Sequence, residues 1–307
     1  MKRKGIALLL LLLILLLTGC GKKTVGVCLR QADTAWSAAL QSALADAGYH
    51  VILVDADNDQ SKQDGQLAEL AEKSDLLLVE PVITDSAEDI AALAKKANVP
   101  AIFLNYAPPQ QVLERWENLC YIGSDLTTPG LVQNALLSTL PDGGDINGDG
   151  IVSCALIGGP EDHVDAKAWG ESCAAAPGME LLRADSGDWS RESGRRICAR
   201  QIAEFGKDIE VIFCLSDEMA FGALEALASG GRTVGENVYL VGLGGDKQAF
   251  IRVRSGDMTA TVCPDYAALA QKAVETAQAM LAGKPVTQVT LVDFAAVTTE
   301  NVDTFLQ

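Results

Sequence analysis

Histidine is almost missing from this chain, with two in 307 residues, and no H-E-x-x-H pair occurs, so a helix-borne catalytic zinc site of that kind is excluded. There is no G-x-S-x-G elbow and no G-x-x-x-x-G-K-[ST] loop, which argues against serine hydrolases and P-loop nucleotide enzymes. No two cysteines are spaced C-x-x-C, against a thioredoxin-like redox motif. Positive charge is also short: 24 Lys and Arg stand against 41 Asp and Glu, a formal charge of −17. Such a surface repels nucleic acid and anionic membranes and attracts divalent cations. The charges are interspersed without long single-sign blocks, so disorder is not indicated. Aromatics make up only 5%, which makes the places of the four Trp informative.

Long apolar runs are absent too. The longest, 6–17, falls below the ~20 residues needed to span a bilayer. It follows Lys2, Arg3 and Lys4 and ends in Leu17-Thr18-Gly19-Cys20, so 1–19 reads as a signal peptide. The last four residues resemble a bacterial lipobox, which implies lipidation of Cys20 and tethering to the extracytoplasmic face of the cell membrane. Seven of the eight cysteines then remain, an odd number. Cys28, Cys120, Cys154, Cys214 and Cys263 lie in apolar, strand-like runs and read as buried small hydrophobes, not as a disulfide framework.

From Thr24 onward the pattern alternates. Short apolar runs at 24–29, 51–54, 76–79, 101–104, 121–122, 152–157, 181–183, 211–214, 239–241 and 259–262 predict strands. Helical periodicity fills the gaps at 36–47, 60–73, 87–97, 129–140, 165–176, 191–205, 217–228, 248–255 and 266–282. Strands that are apolar without strict alternation are covered on both faces, as in parallel sheets. The fold class is therefore α/β, with two doubly wound parallel-sheet lobes. The expected division is 24–124 with 265–290 for one lobe and 125–264 with 291–307 for the other. Two last strands, 290–293 and 295–297, carry the chain across again.

One stretch stands out chemically: Asp145-Ile146-Asn147-Gly148-Asp149-Gly150-Ile151-Val152-Ser153. Oxygen side chains at alternate positions, then Gly150 for a sharp turn, follow the start of an EF-hand calcium loop. Position 12 has Leu156 where a bidentate Glu belongs, and a strand follows instead of a helix. Two readings stay open: a polar surface turn, or a cation loop completed from far along the chain.

In open parallel sheets, ligands bind beyond the carboxyl ends of the strands. The residues there include Asp33 and Trp36 after the first strand, Asn105 after 101–104, and His163 and Asp165 after 152–157. Trp189 follows 181–183, and Ser216 and Asp217 follow 211–214. Flat rings with amides, carboxylates and imidazole around them suit a sugar, which offers apolar faces and a rim of hydroxyls. Asp165 and Asp217 also stand where helix N-caps belong.

These segments resemble the bacterial type I periplasmic sugar-binding proteins, with the galactose/glucose (methyl-galactoside) branch nearest. The resemblance is carried by Val25-Gly26-Val27 with Asp33 and Trp36, Phe103-Leu104-Asn105, Tyr121-Ile122-Gly123-Ser124-Asp125, the 145–153 loop, Gly159–Asp165, Trp189, Ile209-Glu210-Val211-Ile212, Ser216–Ala220 and Val253-Arg254-Ser255-Gly256. It implies lobes joined by a multi-strand hinge that close on a sugar held by Asp33, Trp36, Asn105, His163, Asp165, Trp169, Trp189 and Ser216. It implies a non-enzyme: a monomeric substrate-binding lipoprotein that delivers its sugar to an ABC permease, or a sensor that presents it to a chemoreceptor or sensor kinase. It also implies that Glu210 completes the loop, giving a structural Ca2+ held by Asp145, Asn147, Asp149, the Ile151 carbonyl, Ser153 and Glu210. The chain departs from that family's pattern with Thr34, Trp169, Ser216, Gly244 and Pro264 in the sugar site, and with Ser153 in the loop. Galactose or glucose is therefore not implied as the ligand.

Overall fold

The computed structural model describes residues 22–306; the segment 1–19 expected to be a signal peptide and Cys20 lie outside the described residues. The chain divides into two compact units. The first runs to Gly123 and resumes at Tyr266–Leu291; the second is Ser124–Asp265 with 292–306.

In the first unit, β1 (Thr24–Leu29), β2 (His50–Asp55), β3 (Leu76–Val79), β4 (Ala101–Leu104) and β5 (Leu119–Ser124) alternate with α1 (Ala35–Asp46), α2 (Gln60–Lys73), α3 (Ala87–Ala97) and the one-turn α4 (Gln110–Leu113). The sheet order is β2-β1-β3-β4-β5, closed at the far edge by β11 (Val289–Val292). β1 lies parallel between β2 and β3, with Val25 opposite both Val51 and Leu76. β3 and β4 are buried at every residue, because helices cover both faces of a parallel sheet.

The second unit repeats this wiring. β6 (Val152–Gly158), β7 (Met179–Ser186), β8 (Val211–Cys214), β9 (Tyr239–Leu243) and β10 (Ala260–Pro264) follow the order β7-β6-β8-β9-β10, with β12 (Phe294–Val297) at the edge. β12 runs antiparallel to β10, pairing Val297 with Thr261. The helices are α5 (Pro129–Leu137), α6 (Val164–Cys173), α7 (Arg191–Phe205), α8 (Asp217–Ser229) and α9 (Lys247–Ser255), while α10 (Tyr266–Leu281) returns to the first unit. The edge strand β7 is only part-buried. It carries Arg183, whose Nε donates to Asp185 (3.0 Å), and Asp185 also pairs with Arg200 (2.6 Å). Charge on an open edge discourages pairing with another chain.

Seven cysteines, including Cys173 and Cys198, are buried and free. Burial pushes the thiols of Cys28, Cys120, Cys154, Cys198 and Cys263 up to about 12. They are inert packing groups at neutral pH.

Candidate functional site

Each sheet reverses its order at one place, between β1 and β3 in the first unit and between β6 and β8 in the second. The carboxyl ends of the strands near such a reversal are where open α/β sheets take ligands.

In the first unit a pocket of about 230 Å³ is lined by Arg30, Trp36, Asn58, Glu80, Asn105 and Tyr106. Trp36 sits at the start of α1, which Thr34 caps by accepting the Ser37 N–H (3.1 Å). Its ring is 4% exposed and lies 6.1 Å from that of Tyr266, tilted by 43°. The indole Nε1 has no hydrogen-bond partner, so Trp36 is core as well as pocket wall. Asn105 follows β4 in the left-handed region (φ 58°), a conformation Asn tolerates better than most residues. Its main chain is held at both ends: N–H to the Ile122 carbonyl (3.0 Å), and C=O accepting from the Tyr121 hydroxyl (3.1 Å). Asn105 Nδ2 donates to Glu80 Oε1 (3.0 Å), and the Arg30 N–H donates to Glu80 Oε2 (3.3 Å). Glu80 is 8% exposed. Burial raises its carboxyl above the ordinary range, and the bonds from Asn105 and Arg30 pull it part of the way back. Asp33 is exposed and does not line the pocket.

Arg30 and Glu80 were missed in the sequence. Both stand one residue beyond a strand, the very rule that found Asn105. Each reads locally as an ordinary charged loop residue, and only the pairing of β1 with β3 brings them together.

In the second unit the turn after β6 passes Gly159 and reaches His163, which caps α6 by accepting the Ala166 N–H at Nδ1 (3.2 Å). Nε2 is then the nitrogen left for a ligand. The imidazole lies 5.4 Å from the Trp189 ring, edge-on at 83°, and 6.2 Å from the Trp169 ring. Trp169 is fixed by Nε1 donating to the Leu126 carbonyl (2.6 Å). Trp189 holds a left-handed backbone (φ 67°), strained for a bulky residue. A side chain at Gly159 would meet its ring at 2.1 Å, so the indole lies directly on the Gly159 backbone. Only glycine permits that approach. The structure thus brings His163, Trp169 and Trp189 into one aromatic group. The side chain of Asp165 lies outside the described residues.

The caps differ from the sequence expectation. His163 caps α6 and Ser216 caps α8, its Oγ accepting from Met219 N–H (3.2 Å). The Asp217 carboxylate instead crosses to the turn after β9, accepting from Gly245 N–H (2.7 Å), Asp246 N–H (2.8 Å) and Thr261 Oγ1 (2.6 Å). Burial raises its carboxyl above the usual range. It binds the sheet ends together.

At the other end of the second sheet lies the 145–153 loop. Asp145 Oδ1 accepts from Gly148 N–H (2.8 Å) and Oδ2 from Gly150 N–H (2.9 Å); Asn147 Oδ1 accepts from Asp149 N–H (2.8 Å), and Asp149 Oδ1 from Ile151 N–H (2.9 Å). Gly150 has φ 89°, the left-handed turn that its position requires. Glu210, 2% exposed, closes the loop: Oε1 accepts from Asn147 N–H (2.9 Å) and Oε2 from Ser153 N–H (2.9 Å). Among the described residues no three His, Cys, Asp or Glu side chains gather as a metal cluster. Asp145, Asp149 and Glu210 are therefore not drawn together by themselves. The donor set nonetheless fits a hard cation, being all oxygen.

The profile of the periplasmic binding protein domain family matches residues 25–285. The chain belongs to the periplasmic binding protein family. It is 23% identical over 296 residues to a putative rhizopine-binding protein of Rhizobium meliloti, covering 94% of each chain. It is 28% identical over 251 residues to the D-galactose/methyl-galactoside binding periplasmic protein of Haemophilus influenzae, covering 78% of this chain and 75% of the other. A solved ABC transporter solute-binding protein of Bacillus halodurans with bound myo-inositol aligns with TM-score 0.63 and 25% identity, over 94% of this chain and 99% of that one. The family is one of binding proteins, and this chain is not an enzyme. Among the described residues no helix is long and apolar enough to cross a membrane.

Proposed function

We propose that this periplasmic binding protein is the extracytoplasmic ligand receptor of an ABC-type carbohydrate importer, anchored to the membrane through lipidated Cys20 and working as a monomer. The observation that carries the reading is the pairing of aromatic plates with polar groups at the strand ends of both sheets: Trp36 with Asn105 in one, Trp189 and Trp169 with His163 Nε2 in the other. Ring faces cover the C–H faces of a cyclic polyol and the polar groups meet its hydroxyls. Relatives named for galactose and rhizopine, and one holding myo-inositol, agree with a cyclic polyol. A thermal-shift screen of the purified protein against sugars and cyclitols tests this. Stabilisation by at least one, lost in Trp189→Ala and Asn105→Ala, is expected; no stabilising sugar with calcium present contradicts it.

The 145–153 loop is proposed as a structural Ca2+ site formed by Asp145, Asn147, Asp149, the Ile151 carbonyl, Ser153 and Glu210. Ca2+ would supply positive charge to three carboxylates and tie the start of β6 to the start of β8. Binding to the folded form alone raises stability by mass action. EDTA is expected to lower the melting temperature and added Ca2+ to restore it; an unchanged melt contradicts the site.

A further inference from the structure

Arginines in this acidic chain usually have an acid beside them. Arg115, Arg183, Arg191, Arg195, Arg200 and Arg252 each have a carboxylate oxygen within 3.1 Å. With 41 acidic side chains to 24 basic ones, that is the expected outcome.

Arg30 departs from it. Nε donates to a neutral partner, Asn58 Oδ1 (3.2 Å). Cζ stands 4.6 Å from the centroid of the Tyr106 ring, a cation–π distance. The main-chain N–H is held by Glu80. Nη1 and Nη2 make no hydrogen bond among the described residues, and no carboxylate lies within ion-pair distance of them. Glu80 feels the Arg30 charge, which favours its carboxylate, but its hydrogen bonds come from Asn105 Nδ2 and the Arg30 backbone N–H, not from Nη1 or Nη2. The guanidinium is thus pinned at Nε, at its ring-facing side and at its own backbone, and its two terminal nitrogens are left to the pocket.

A planar fork of two N–H donors matches a carboxylate, which accepts both at once; a hydroxyl accepts only one. Holding the fork beforehand removes most of the ordering cost of binding. We propose that the ligand is a monosaccharide carrying a carboxylate, of the uronic or aldonic acid class, and that Arg30 grips that group with two parallel N–H···O bonds. The proposal rests on the carbohydrate-binding reading above and adds the charge of the ligand to it.

Calorimetric titration of the purified protein with glucuronate, galacturonate and gluconate, beside glucose and galactose, separates the two. At least one acid is expected to bind more tightly than every neutral hexose by about tenfold or more. Arg30→Gln should abolish that preference while melting with the wild type, and Arg30→Lys, which keeps the charge but not the fork, should restore part of it. Neutral hexoses binding as tightly as the acids, or acid affinity unchanged in Arg30→Gln, overturns the proposal and leaves the carbohydrate reading standing. Binding of neither acids nor neutral sugars overturns both.

Discussion

The two units share one wiring diagram and use it differently. Each is a 2-1-3-4-5 sheet with a returning strand at its edge, yet the strand ends carry opposite chemistry. The first unit sets charge around a buried ring, with Arg30 and Glu80 in the crevice beside Trp36. The second sets part-buried rings around one imidazole and spends its buried acid, Asp217, on main-chain N–H groups. In the proposed function, topology places the ligand and the residues in the turns beyond the strands select it.

If the contrast holds, the two tryptophans should separate in stability. Trp36→Ala is expected to cost about 3–5 kcal/mol, as for other buried aromatics. Trp189→Ala should cost less, roughly 1 kcal/mol, because its ring is only part-buried and its backbone strained, while abolishing ligand-dependent stabilisation. Chemical denaturation of both variants checks this; equal losses would remove the distinction.

The two buried acids give the next effect. Asp217→Ala leaves the Gly245 and Asp246 N–H groups unpaired and should cost about 3 kcal/mol. Asp217→Asn keeps an acceptor for both and should cost far less. The Asp217 carboxyl is raised in the fold, so the folded form holds its proton more tightly than the unfolded chain does. The stability linked to it is full below the ordinary carboxylate range and fades as pH rises through the raised value. The melting temperature of the wild type relative to Asp217→Asn should therefore improve as pH falls toward 4; a flat difference contradicts this.

At the second sheet's other end, Glu210→Gln replaces one of two acceptors by a donor that faces an N–H, at a cost of about 2 kcal/mol. It should also remove the response of the melt to EDTA. The smallest effect is the loss of the α1 cap: Thr34→Ala should cost about 1 kcal/mol without touching the second unit's aromatic group.

What could be read from sequence follows the reach of the interactions. β3, β4 and β8 were legible to the residue, since a buried parallel strand is an unbroken apolar run with polar punctuation. β7 was read as three residues where eight form the strand, because this edge strand interrupts its apolar residues with Glu180, Arg183 and Asp185. Trp36 and Trp189 were legible as rare aromatics placed after strands. Arg30 and Glu80 were not, because their meaning comes from β1 lying beside β3, fifty residues away. Asp217 looked like a cap from its neighbours, while its actual partners lie up to 44 residues downstream.

The central claim is that these strand ends bind carbohydrate. Calorimetric titration of one stabilising sugar into the wild type, Asn105→Ala and Trp189→Ala tests it most directly. Affinity weakened by about tenfold or more in each variant is the predicted result. Full affinity in either variant would contradict it.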